Sequence, residues 1–183
     1  VIPPLRGRRR LAGCGIVPAA AGVRTVSIVV EVVNRQRGVR VDAAWLERIV
    51  RRAVAAIGRE AAEISVVVVN DRGIAAVHRR WLGIPGPTDV ITFDLAAAGP
   101  AGGPLAGDIV ASAETARRAA RELGWQTRHE LAYYVIHGLL HLAGFDDGTP
   151  GERRRMRRQE RAVMAAIGLP PPPRRPPRPP HAR

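Results

Sequence analysis

The stretch HGLLHLAGFDD, residues 137–147, sets two imidazoles four residues apart and closes on two carboxylates. On an α-helix, positions i and i+4 lie one turn apart on the same face, so His137 and His141 can aim ring nitrogens at a single ion. A helix that ends near Gly144, where glycine tolerates a left-handed backbone, turns the chain back and lets Asp146 or Asp147 bring a third ligand. Two histidines and a carboxylate are the donor set of a catalytic zinc site, with a fourth position left for water. Metalloproteases with this His-x-x-x-His spacing carry a glutamate directly after the first histidine as general base. Gly138 stands there instead, which disfavours peptide hydrolysis. The competing reading is a core helix whose histidines cover apolar neighbours; the paired spacing, the glycine and the carboxylates together favour the metal.

Presenting these side chains requires a helix over TRHELAYYVIHGLLHLAG, with Thr127 as the expected N-cap and Glu130 completing a capping box. Upstream, VSIVVEVVN (26–34) is a β-branched run that reads as a buried strand. Asp42 then caps a helix in which Leu46, Ile49, Val50, Val54 and Ile57 share one face and Gly58 ends it. AEISVVVVN (62–70), TDVITFDL (88–95) and LAGDIVAS (105–112) read as three more strands. A short helix starting at Asp71 carries His78, Arg79 and Arg80. Further helices follow over SAETARRAARELGW, capped by Ser112, and over TPGERRRMRRQERAVMAAIG. The Gly/Pro/Ala segment 96–104 is expected to be a mobile loop. Thr88 and Asp89 open a strand, where the aspartate can cap a turn or hold a histidine's second nitrogen, the former being favoured. Ser112 and Glu114 read as a capped helix start. Four strands with intercalated and trailing helices make a layered α+β single domain, without internal repeats.

The 183-residue chain is long enough for one ordinary core, and with aromatics at 4% that core must be built from Val, Ile, Leu and Ala. All 29 basic residues are arginine, and the formal net charge is +13. Nine arginines sit in residues 1–25 and 168–183, which carry no acid, so residues 26–167 keep about +4. Both ends are expected to be disordered, the second holding eight of the sixteen prolines. Arginine-rich ends concentrate a protein near phosphate backbones, although solvated tails without a partner remain the plain alternative. Cys14 alone excludes an internal disulfide and suits a reducing cytosol, so a cytoplasmic location is expected. The segment RRRLAGCGIVPAAAG is too short and too interrupted in its apolar part for a signal sequence, and no window is long enough for a membrane span.

The same residues carry a resemblance. HGLLHLAGFDD is similar to the signature H-G-x-L-H-L-x-G-[FY]-D-H of the YbeY family, bacterial endoribonucleases and rRNA maturation factors. PTDVITF (87–93) resembles the family's P-T-D-V-L-S-F, LAGDIVAS its L-G-D-I-x-I-S, and ELAYYVIHG the approach to the signature, while Met156 with Glu160 fits the M-x-x-x-E that follows. The resemblance covers about residues 26–167 and neither basic end. It implies a zincin-like fold with a small mixed four-stranded sheet and about five helices. It also implies one Zn²⁺ per chain held by three signature histidines, and hydrolysis of single-stranded RNA, notably at the 3′ end of small-subunit rRNA and in ribosome quality control. The small ribosomal subunit and a ribosome-assembly GTPase become candidate partners, and a monomer is expected.

Residue by residue, His137 and His141 match the first two ligands. Asp147 takes the third position, a departure from histidine that is chemically able to serve, since carboxylate oxygens bind Zn²⁺ at about 2.0–2.2 Å. A negative ligand leaves the ion less Lewis-acidic than three neutral imidazoles do. Asp146 matches the penultimate Asp and is expected to orient the turn or a ligand. The family commonly has Asn-x-x-[YF]-R before P-T-D; here His78, Trp81 and Leu82 occupy those places, so the arginine is missing. Arg79 or Arg80 could substitute, and Arg154 and Arg158, within the run GERRRMRRQER, could pair phosphates or stack on bases. The alternatives are a ribosome-assembly RNA-binding protein with a structural metal and, less favoured, a metallopeptidase.

Overall fold

A computed structural model of the chain describes residues 27–96 and 103–173. The expected N-terminal extension, most of the 96–104 loop and the end of the Pro/Arg-rich segment lie outside the described residues.

The elements follow in the order β1 (Ser27–Asn34), α1 (Ala43–Ala56), β2 (Ala61–Val69), α2 (Asp71–Leu82), β3 (Val90–Asp94), β4 (Leu105–Ser112), α3 (Ala113–Glu122), α4 (Thr127–Leu142) and α5 (Pro150–Ala166). The sheet order is β1-β2-β4-β3, with β1, β2 and β4 parallel and β3 antiparallel at the edge. The fold is therefore α+β, a mixed four-stranded sheet with five helices. One sheet face carries the larger core, where Leu46, Val50 and Val54 of α1 and Ile136, Leu139 and Leu140 of α4 meet Val66, Val68 and Ile109. On the opposite face α2 buries Ile74 against Val67, Val69, Ile91 and Val110.

Caps explain where several helices start. Asp42 accepts from Trp45 N at 2.9 Å, and Ser112 accepts from Thr115 N at 3.1 Å. For α2 the cap is Asn70, whose carboxamide accepts from Gly73 N at 2.8 Å, so β2 stops one residue before it. The capping box expected at Thr127 and Glu130 does not form: Thr127 is the first helical residue, Gln126 precedes it without a side-chain cap, and Glu130 is fully buried. The reciprocal box occurs instead at α5, between Thr149 and Glu152 with Pro150 in the first turn.

The expectation of a buried first strand is also corrected. In β1 only Val30 is buried and Val29 is 55% exposed, because β1 lies at the rim of the sheet. Its outward carbonyls at Ile28 and Val30 accept from the Arg51 guanidinium, a charged cover for an otherwise open edge. At the other rim, Ser112 N donates to Asp89 O and Leu95 N to Ala106 O, so odd-numbered residues of β3 face β4. The main-chain groups of Val90, Thr92 and Asp94 consequently turn away from the sheet.

Candidate metal centre

Helix α4 runs through the middle of the molecule, with twelve of its sixteen residues buried. It lies so close to the sheet at Gly138 that a Cβ there would sit 2.9 Å from Thr92 Oγ1 and 3.2 Å from Ile109 Cγ2. The position that holds the base in metalloproteases is therefore pressed against β3 and β4, with no room for a carboxylate.

One turn of α4 brings His137 and His141 together, their Nε2 atoms 3.1 Å apart and the rings nearly perpendicular. His137, 2% exposed, has its Nδ1 2.7 Å from Glu160 Oε1 on α5. A carboxylate only accepts, so Nδ1 carries the proton and the Nε2 lone pair is directed at His141. The other oxygen of Glu160 accepts from Tyr133 OH at 2.9 Å, fixing the carboxylate.

The helix ends as its glycine requires: Gly144 adopts φ 92°, Gly144 N donates to His141 O and Phe145 N to Leu140 O. The reversed chain sets Asp147, 8% exposed, with Oδ2 3.9 Å from His137 Nε2. Ligand atoms of His137, His141 and Asp147 all lie within 4.8 Å of one another. Asp146 accepts from Asp147 N at 2.7 Å. Arg153 Nη1 donates to Asp147 O at 3.0 Å and to Gly148 O at 2.9 Å, bracing the turn from α5.

This donor set fits a small divalent ion. A tetrahedral zinc with ligands at about 2.0–2.2 Å spaces them roughly 3.4 Å apart, between the two separations found here. Without an ion, one of the two facing Nε2 atoms must spend a proton on the other.

The histidines open into a groove of about 920 Å³ lined by β3, the 84–89 segment, Trp81 and Leu82 together with Thr115, Arg118 and Tyr134. Trp81 is 62% exposed and meets Phe93 edge to face at 5.7 Å. Asp89 accepts from Val90 N and Thr88 Oγ1, and the second nitrogen of His137 goes to Glu160. Arg79, Arg80, Arg154 and Arg158 are exposed and do not line the groove, although Arg80 reaches to 5.7 Å from the Trp81 ring centre. His78 Nδ1 lies 3.0 Å from Gly86 O.

A family model described as Endoribonuclease YbeY matches residues 31–168. The chain belongs to the YbeY family. Among its relatives, an Endoribonuclease YbeY of Anaeromyxobacter sp. (strain Fw109-5) is 47% identical over 116 residues, 63% of this chain and 60% of that protein. An Endoribonuclease YbeY of Geobacter metallireducens is 37% identical over 145 residues, 75% of this chain and 95% of that protein. A solution structure from Thermotoga maritima shares the fold with a TM-score of 0.52 and 22% identity, covering 75% of this chain and 90% of that one. This YbeY-family chain thus spans about 60% of the Anaeromyxobacter relatives' length.

Three residues at this site escaped the sequence reading of roles. Glu160 was visible only as part of an M-x-x-x-E match, four positions from buried Met156 on the same face of α5. Arg153 lies in the run GERRRMRRQER, where nothing in its spacing sets it apart from its neighbours. Arg118 looked like an ordinary charge in a helix whose cap, Ser112, proves to do more: its hydroxyl donates to Asp71 Oδ1 at 2.6 Å while Glu114 accepts from Asp71 N at 2.9 Å.

Proposed function

We propose that the chain is a zinc-dependent endoribonuclease that cuts single-stranded RNA, working in maturation of the small-subunit rRNA 3′ end and in ribosome quality control. One zinc would be held by His137, His141 and Asp147. The observation that carries the reading is the two Nε2 atoms and a carboxylate converging beside an open groove, in a chain of the YbeY family. When bound, the ion supplies Lewis acidity at a phosphodiester oxygen and activates water near neutral pH. Glu160 holds His137 in the tautomer that offers Nε2, and Tyr133 holds Glu160. Asp146 and Arg153 keep the turn that delivers Asp147. The jammed environment of Gly138 leaves no place for the proteolytic base and supports phosphodiester over peptide chemistry. Residues 26–167 would form the hydrolase domain, with arginine-rich ends raising its local concentration on RNA.

The test incubates zinc-loaded protein with single-stranded RNA and with casein, with and without chelator. RNA cutting that chelator and His141→Ala both abolish is the expected result. Salt-sensitive RNA binding without cleavage would instead indicate an assembly factor with a structural metal, and casein cutting a peptidase. An Asp147→Ala protein that binds zinc as tightly as the parent would remove Asp147 from the ligand set.

A further inference from the structure

The groove has one guanidinium or ammonium group on its walls among the described residues, Arg118 of α3. Its wall carboxylates are Asp89 and Asp94, with His78, His137 and His141 also on the walls, and Asp147 adds a further carboxylate beside the histidine pair. A polyanion entering this space meets carboxylates unless a cation is held among them. Arg118 is held. Its Nη1 pairs with Asp71 at the start of α2, and its Nη2 donates to Thr115 Oγ1 at 2.9 Å. Asp71 is pinned in turn by Ser112 Oγ at 2.6 Å and Thr115 Oγ1 at 2.7 Å. Its charge is therefore divided among three donors. Despite these ties the Arg118 side chain stays 54% exposed, and two of the five guanidinium N–H donors account for its contacts. An exposed pair of this kind contributes little to stability, about 0–1 kcal/mol, so structural need alone is a weak reason for Asp71, Ser112 and Thr115 to be organised around one arginine.

We infer that Arg118 is a substrate-binding residue that grips a phosphate of the RNA strand lying in the metal groove, and that Asp71 is the positioning residue that aims it. This deepens the endoribonuclease reading and rests on it. The planar fork of Arg118 matches two phosphate oxygens at once, which a flexible surface arginine does only after ordering.

The experiment uses the full-length zinc-loaded protein and a fluorescein-labelled single-stranded RNA whose integrity is checked on a denaturing gel at the end of each titration. Binding is followed by anisotropy across a salt series, beside cleavage of the same strand. Arg118→Met should weaken binding about tenfold and flatten the slope of log K against log salt by about 0.7, one phosphate contact to a single strand. Arg118→Lys should keep the slope and recover part of the affinity. Asp71→Asn should lower the melting temperature as Arg118→Met does, since both remove the same pair, yet keep the parental slope while losing part of the affinity, because the arginine is still present but no longer aimed. Zinc content should match the parent in all three. A parent that binds and cuts RNA while Arg118→Met binds with unchanged affinity and slope overturns the inference and leaves the endoribonuclease reading standing. Equal slope losses in Arg118→Met and Asp71→Asn also overturn it, because the effect then tracks the fold. A parent that neither binds nor cuts RNA sinks the endoribonuclease reading, and this inference with it.

Discussion

Glu160 accepts from Nδ1 of His137, one of the candidate metal ligands. Replacing it by glutamine keeps the size and an acceptor oxygen but removes the negative charge opposite Nδ1, making Nε2 a poorer donor. Glu160→Gln should lose about 10–100-fold in zinc affinity, measured by competition with a chromophoric chelator, with little change in helix content by circular dichroism. Gly138 makes the opposite kind of contribution, by having no side chain. Gly138→Ala forces a methyl against Thr92 and Ile109 and should cost about 1–3 kcal/mol in urea unfolding. At this scale the sequence was legible wherever geometry is local. His137, His141, Gly144 and Asp147 lie within eleven residues, and helix periodicity plus one glycine turn is enough to bring them together. Glu160 lies 23 residues beyond His137, and its role depends on how α5 docks on α4, which no local spacing encodes.

Each helix and strand owes its place to burial as much as to local propensity. Both Thr127 with Glu130 and Thr149 with Glu152 satisfy the capping-box pattern, and only the second forms the box, because Glu130 is inside the domain and Glu152 at its surface. Likewise β1 and β2 are both β-branched runs, but β2 is central and β1 is at the rim, a distinction made by sheet order and invisible in composition. Helices α2 and α3 are tied at their starts by Asp71. Burial acts to raise that carboxyl's pKa, but hydrogen bonds from Ser112, Arg118 and Thr115, with the charge of Arg118, outweigh it and hold the group below its ordinary value of 3.8. The unfolded chain takes up this proton near 3.8 and the folded chain only at lower pH. The tie therefore contributes in full above that value and is lost as pH falls through the folded one. The stability gap between parent and Asp71→Asn in urea should hold from pH 7 to about 5 and shrink steadily below about 4.

For the molecule as a whole, the candidate metal position joins the central helix α4 to the turn after it, and α5 braces both, the turn through Arg153 and the helix through Glu160. An ion bound there and absent from the unfolded chain stabilises the entire domain, by about 2.7 kcal/mol at a free concentration one hundred times its Kd. Zinc should raise the melting temperature of the chelator-treated protein by several degrees in differential scanning calorimetry, and His141→Ala should abolish that rise. Among the described residues no helix is long and apolar enough to cross a membrane.

The outward main chain of β3 has one more bearing on behaviour. Main-chain groups are alike at every residue: outward amides such as that of Thr92 can donate to phosphate or ribose oxygens, and outward carbonyls can accept from a ribose hydroxyl, whichever base is attached. A nuclease that holds its substrate against such a rail registers whether a strand is slack enough to lie down there, and little of its spelling. On the proposed nuclease reading, the position of a cut would then follow how slack and reachable a strand is more than its base sequence.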